Sequence, residues 1–138
     1  MKTFISKTAI VKDSNIGDGT KIWEFANVHG CKIGNNVTIS SHSFICSLVT
    51  IEDDVFIGHG VITINDRYPP SYKRTGTTEY WQELLIKKAS VIGSNATLLP
   101  VIVGEKVEVG AESVVTKDVP DNCIVAEDPA RVTKSKEN

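Results

Sequence analysis

The side chains best suited to chemistry in this 138-residue chain gather at one interruption, VITINDRYPPSYKRTGT, residues 61–77. It carries Asn65, Asp66, Arg67 and Tyr68 in succession, with Tyr80 and Trp81 shortly beyond. A primary amide such as Asn65 orients an amine or polarises a carbonyl without titrating. A carboxylate such as Asp66 accepts from hydroxyls or an amine, and the aromatic rings either stack a planar base or anchor a loop. Asn-Asp ahead of Arg-Tyr-Pro-Pro is also good turn chemistry, so a purely structural role stands beside the functional one.

The sequence around this interruption is periodic. Aliphatic residues fall at Ile10, Ile16, Ile22 and Val28, six apart, then after a step of five at Ile33, Ile39, Ile45, Ile51 and Ile57. They resume at Ile92 and Leu98, step by five to Val103, and reach Val109 and Val115. Small or β-branched residues follow most of them by four, with turn-formers between, as in IGDGT and IGSNA. Because a strand alternates sides at every residue, the aliphatic residue and the small residue two places before it share the inner side. The rest of each hexad turns the chain by about 120°, so three short strands close a triangular coil and coils stack through parallel hydrogen bonds. The pattern predicts an all-β chain, a left-handed parallel β-helix of about six coils forming a single domain over residues 1–138. Between Ile10 and Ala126 the coils hold 18, 17, 18, 29, 17 and 18 residues, so the interruption is an excursion from the fourth, near residues 65–86, with eleven extra residues.

This frame constrains the remaining chemistry. His29, His42 and His59 are second, fourth and third in their hexads, so they point in different directions and no metal site is expected; imidazole remains the usual general base near neutral pH. The net charge of −2 gives no field that draws the chain to nucleic acid or an anionic membrane. Three widely spaced cysteines argue against a disulfide framework and a CxxC metal site. MKTFISKTAIVKDSN lacks a signal peptide's apolar core, and no apolar run is long enough to span a bilayer. A reduced, cytoplasmic setting is expected.

With these repeats, GAESVVTKDVPDNCIVAEDPARV near the end of the chain resembles the hexapeptide-repeat acyltransferases that use acetyl-CoA. IWEFANVHGCKIG, SHSFICSLVTIEDDVFIGHGV and the NDRYP stretch are similar to the N-acetyltransferases of nucleotide-linked 3-amino sugars, and the resemblance covers residues 8–133. Two features depart from that group. One coil is missing between GCKIG and SSHSF, and Glu127-Asp128 replaces the usual Gly-Asn ahead of Pro129, Ala130 and Arg131.

The resemblance implies acetyl transfer from acetyl-CoA to a dTDP- or UDP-linked amino sugar for surface glycan (lipopolysaccharide) synthesis, by a homotrimer with parallel axes. Asn65 matches the residue that contacts the reacting sugar. His42 lies on a coil facing that sugar, His59 about one coil further on, and Asp66, Arg67 and Tyr68 fall in the substrate-binding segment. The small residues Ser94, Ala96, Ala111 and Ser113 let a pantetheine arm lie along the prism, while Lys117 and Arg131 suit the anionic adenosine end. Trp23 and Phe25, at outward positions, are expected at a subunit interface. The alternatives are O-acetylation of a sugar or small acceptor, which requires an indispensable histidine, and a non-catalytic scaffold, which requires neither SVVTKDVP nor the excursion.

Overall fold

The structure is a computed structural model that describes residues 2–69 and 77–136. It is a left-handed parallel β-helix with three faces. Face 1 is an eight-stranded sheet that stacks Phe4–Ile5, Lys21–Ile22, Thr38–Ile39, Phe56–Ile57, Val91–Ile92, Glu108–Val109 and Cys123–Ala126 in parallel, and Arg131–Ser135 returns antiparallel on its edge. Face 2 has six strands: Ile10–Lys12, Asn27–His29, Phe44–Ile45, Ile62–Thr63, Thr97–Leu98 and Val114–Val115. Face 3 has five: Asn15–Ile16, Lys32–Ile33, Val49–Ile51, Leu84–Ile86 and Ile102–Val103, extended by a bridge from Val103 to Val119. Face 1 therefore holds seven parallel rungs, one more than the six coils expected, because Phe4–Ile5 pairs with Lys21–Ile22 ahead of the first recognisable repeat.

Each rung sends two residues inward, as the alternation requires. Val37 and Ile39, Val55 and Ile57, Val107 and Val109, and Cys123 and Val125 are such pairs, all buried. At three rungs the first of the pair is a hydroxyl residue satisfied by the next coil. Thr20, Ser43 and Ser90 each donate at 2.7 Å to a carbonyl, of Gly34, Gly58 and Gly104, and accept the amides of Val37, Val61 and Val107. A buried hydroxyl left without such partners costs about 1–3 kcal/mol, so these residues fit a core that otherwise admits only aliphatics.

Register corrects two details of the periodic reading. Val11, not Ile10, is the inward residue of its rung: Val11 pairs with buried Val28, and Ile10 is exposed. The excursion is also longer than eleven residues and ends earlier than residue 86. Thr63 occupies an inward position opposite Leu98, and the next inward residue at that level, Ile86, comes 23 positions later, where five or six is regular. Leu84–Ile86 has already rejoined face 3. Thr63 hid the boundary because it is polar; its hydroxyl accepts the Cys46 amide at 2.9 Å and lies 3.1 Å from the Phe44 carbonyl.

Corners are tight. The second turn residue is repeatedly left-handed, with φ of 62° at Phe25, 65° at His42 and 66° at Gly60. Gly58 is required by close stacking rather than by its torsion, since a Cβ there would lie 2.7 Å from the Ser94 amide nitrogen.

Candidate active site

Two edges of the prism, one on each side of face 2, carry the residues singled out above. Along the edge between faces 1 and 2, backbone bonds from Gly60 to Ser41, Asn95 to His59 and Glu112 to Ser94 stack Ser41, His59, Ser94 and Ala111 in one column. His42 stands in the adjoining column, exposed, its ring 5.2 Å from that of Phe25. Ser94 Oγ accepts the amide of His59 at 3.2 Å, and Ala111 is exposed. Arg131 pairs with Ala126 near the far end of this edge, also exposed. Ala96 and Ser113 do not belong to it. Both are fully buried inward residues, and Ser113 donates to the Gly110 carbonyl at 2.7 Å, so their side chains serve the core and are closed to a ligand.

The edge between faces 2 and 3 carries the excursion. Asn65 donates through Nδ2 to the Ser47 carbonyl at 3.0 Å, and its own carbonyl accepts the Gln82 amide at 2.7 Å. Asn65 thus closes the neck where the chain leaves and returns. Asp66 is buried and accepts the Tyr68 amide at 2.9 Å, an Asx turn. Arg67 reaches along the prism to donate to the Pro100 carbonyl at 3.0 Å and the Thr116 carbonyl at 3.4 Å, strapping the excursion to the two later coils. Lys117, exposed beside Thr116, lies on this edge and not with Arg131. Residues 70–76 of the excursion lie outside the described residues.

Two cavities adjoin here and share Trp81 as a wall. The larger, about 450 Å³, is lined by Arg67, Tyr68, Glu79, Tyr80, Trp81 and Gln82. The smaller, about 300 Å³, is lined by His29, Phe44, Cys46, Ser47, Asn65 and Trp81. Both are in the size range of small-molecule sites. The sequence reading missed His29, Phe44, Cys46 and Ser47 as lining residues. The signal for two of them was present: Cys46 follows His29 by 17 residues, one regular coil.

Burial disfavours the thiolate at two of the cysteines. Burial pushes Cys31 up to about 12, against a lowering backbone hydrogen bond at His29, and burial likewise raises Cys46, against a lowering bond from Thr63. Both stay protonated near neutrality, so no covalent acyl-enzyme is expected at Cys46. All three cysteines are free. Among the described residues no three His, Cys, Asp or Glu side chains converge on a metal position, and no helix is long and apolar enough to cross a membrane.

Comparison with known proteins places this geometry. Residues 13–47 match the bacterial transferase hexapeptide (six repeats) family. The bifunctional protein GlmU of Brevibacillus brevis is 34% identical over 122 residues, covering 88% of this chain but 24% of its own length, so the chain spans about a quarter of such relatives. A variant of AntD, an N-acyltransferase from Bacillus cereus crystallised with dTDP-4-amino-4,6-dideoxyglucose and coenzyme A, is 26% identical with a TM-score of 0.84, covering 99% of this chain and 81% of its own. The acetyltransferase domain of PglB from Neisseria gonorrhoeae has a TM-score of 0.80 at 23% identity, covering 95% and 57%. The chain is a left-handed β-helix built on hexapeptide repeats, and it shares its fold with these acyltransferases.

Proposed function

We propose that the chain is an acetyl-CoA-dependent N-acetyltransferase acting on a dTDP- or UDP-linked amino sugar, with a 3-amino sugar as the favoured acceptor. The observation that carries this reading is the pair of adjoining cavities at the neck of the excursion, one holding Asn65 and the other edged by aromatic side chains. A sugar amine fits the smaller compartment and a nucleotide the larger, with Trp81 between them. The similarity to AntD, which binds a dTDP-amino sugar and coenzyme A, supports the same assignment.

Acyl transfer to an amine needs a neutral nitrogen aligned on the thioester carbonyl and donors for the developing oxyanion. One Nδ2 hydrogen of Asn65 is committed to Ser47, which leaves Oδ1 and the second amide hydrogen for the substrate. Oδ1 orients the amine's N–H, and the free N–H faces developing negative charge. The thin arm of the acyl donor takes the other edge, along Ser94 and Ala111 toward Arg131. On one chain the two edges flank face 2, so the acyl donor and Asn65 come together only when edges of neighbouring protomers meet, as in a homotrimer. Synthesis of a surface glycan in the cytoplasm is the proposed setting.

The test is thiol release from acetyl-CoA against matched UDP- and dTDP-linked 3-amino, 4-amino and hydroxy sugars. Turnover with the amines and not with the hydroxy sugars supports the reading. Turnover with the hydroxy sugars alone establishes O-acetylation instead.

A further inference from the structure

The resemblance points to His42 as the imidazole beside the reacting centre; on one chain His42 stands on the other edge, its ring 5.2 Å from that of Phe25 and tilted 35° to it. The imidazole that shares a cavity with Asn65 is that of His29. Resting on the function proposed above, we infer that His29 is the base that takes the proton of the acceptor amine.

The backbone arrangement leaves room for this. His29 closes the second strand of face 2, opposite Lys12 on the first coil. Cys46 and Ser47 follow on the next coil, and Asn65 leaves the coil after that, bonded to the Ser47 carbonyl. Rungs stand roughly 4.8 Å apart, so the backbones at His29 and Asn65 are separated by roughly 10 Å, about the span of a pyranosyl amine held between an imidazole and an amide. Cys46 and Ser47 form the floor of that gap, with Phe44 and Trp81 as its walls.

His29 is half-buried, and among the described residues neither of its ring nitrogens has a hydrogen-bond partner. An imidazole with a structural task is normally tied by one nitrogen; this one is left available. The titratable groups near it are Lys12 on the preceding coil and the buried thiols of Cys31 and Cys46, with Asp66, whose carboxylate accepts the Tyr68 amide, next to Asn65. Among the described residues no carboxylate lines the cavity itself.

The step balances without another reactant. The amine nitrogen's lone pair forms the bond to the thioester carbonyl carbon, and the nitrogen, now cationic, gives its proton to His29. The tetrahedral intermediate collapses by breaking the C–S bond, and the thiolate leaves as coenzyme A thiol, taking up a proton from the His29 imidazolium directly or through water. His29 is restored.

Full-length His29→Gln and His29→Ala are assayed by thiol release with the best nucleotide-linked amino sugar. The expected loss in kcat is about 10²–10⁴-fold, with KM for the sugar within a few-fold of wild type. The variants also lose the acidic-side ionisation in kcat/KM, and added imidazole restores activity to His29→Ala. Wild-type kcat with an unchanged pH profile in His29→Gln overturns the inference. So does a drop in activity that matches a loss of folded protein and is not rescued by imidazole. To keep the test independent of how the variants fold, the His29 ring resonances of the wild type are also followed on adding the nucleotide-linked amino sugar alone. A shift at His29 supports the inference, and a shift at His42 with His29 unmoved overturns it. If the wild type acylates no amine, the function reading fails first and the role of His29 fails with it.

Discussion

Asn65 does two jobs that kinetics and stability report separately. Its Nδ2 bond to Ser47 holds the neck of the excursion, and the rest of its amide faces the smaller cavity. Asn65→Ala removes both, and a lost oxyanion-type donor lowers kcat by about 10²–10³-fold. Losing the bond to Ser47 costs only about 0.5–1.5 kcal/mol of stability. Paired kinetics and thermal melts check this: wild-type kcat with a much lower melting point would make Asn65 a turn residue only. Cys31 yields a prediction of pH dependence. Its thiol is raised from 9.0 to about 12 in the folded chain. A raised pKa means that the unfolded chain releases this proton first, so the stability linked to it is intact below 9 and is lost as pH climbs toward 12. Cys31→Ala should flatten the fall of denaturation midpoint across that window; an unchanged slope would contradict the assignment. Asn65 was legible in the sequence because it stands where an otherwise regular period fails. His29 and Cys46 were overlooked although they stand 17 residues, one coil, apart, because neither belongs to the aliphatic inward period that marks the rungs.

At the scale of elements, the rungs were legible wherever the inward residue was Ile, Leu or Val. The reading slipped at Thr63, whose buried hydroxyl breaks the aliphatic period, and at Ile10–Val11, where two adjacent aliphatics left the inward side ambiguous. Small size in the sequence also carried two meanings. Ala111 is small on an exposed corner, whereas Ala96 and Ser113 are small because the core is narrow. Arg67 is the element-scale counterpart of Asn65: it ties the excursion to the carbonyls of Pro100 and Thr116. Arg67→Ala should leave the prism folded but release the strap, raising KM for the nucleotide-linked sugar about tenfold or more and lowering stability by about 1–3 kcal/mol. The check is a two-substrate kinetic analysis with a denaturation curve; a change confined to KM for acetyl-CoA would place Arg67 on the donor side instead.

For the whole molecule, the unmatched surface is aromatic. Phe4 and Trp23 stand with ring centroids 5.1 Å apart, and Phe25 is 58% exposed, on the edge that also carries His42. Exposed aromatics gathered in this way mark an interaction surface, and the proposed function needs one, because the Ser94 edge and Asn65 lie on opposite sides of face 2 of one chain. The expected assembly is a trimer of about 45 kDa, three copies of the 15.0 kDa chain. Sedimentation equilibrium at micromolar concentration checks it, and Phe25→Glu should shift the population toward monomer with loss of turnover. A fully active monomer would contradict a site shared between protomers.

The most direct test of the central claim is identification of the product formed from acetyl-CoA and a dTDP- or UDP-linked amino sugar. The account predicts that coenzyme A appears in step with a nucleotide sugar heavier by one acetyl group, joined through an amide that survives mild base. Coenzyme A released with the sugar amine unchanged, or a base-labile ester on a sugar hydroxyl, would contradict it.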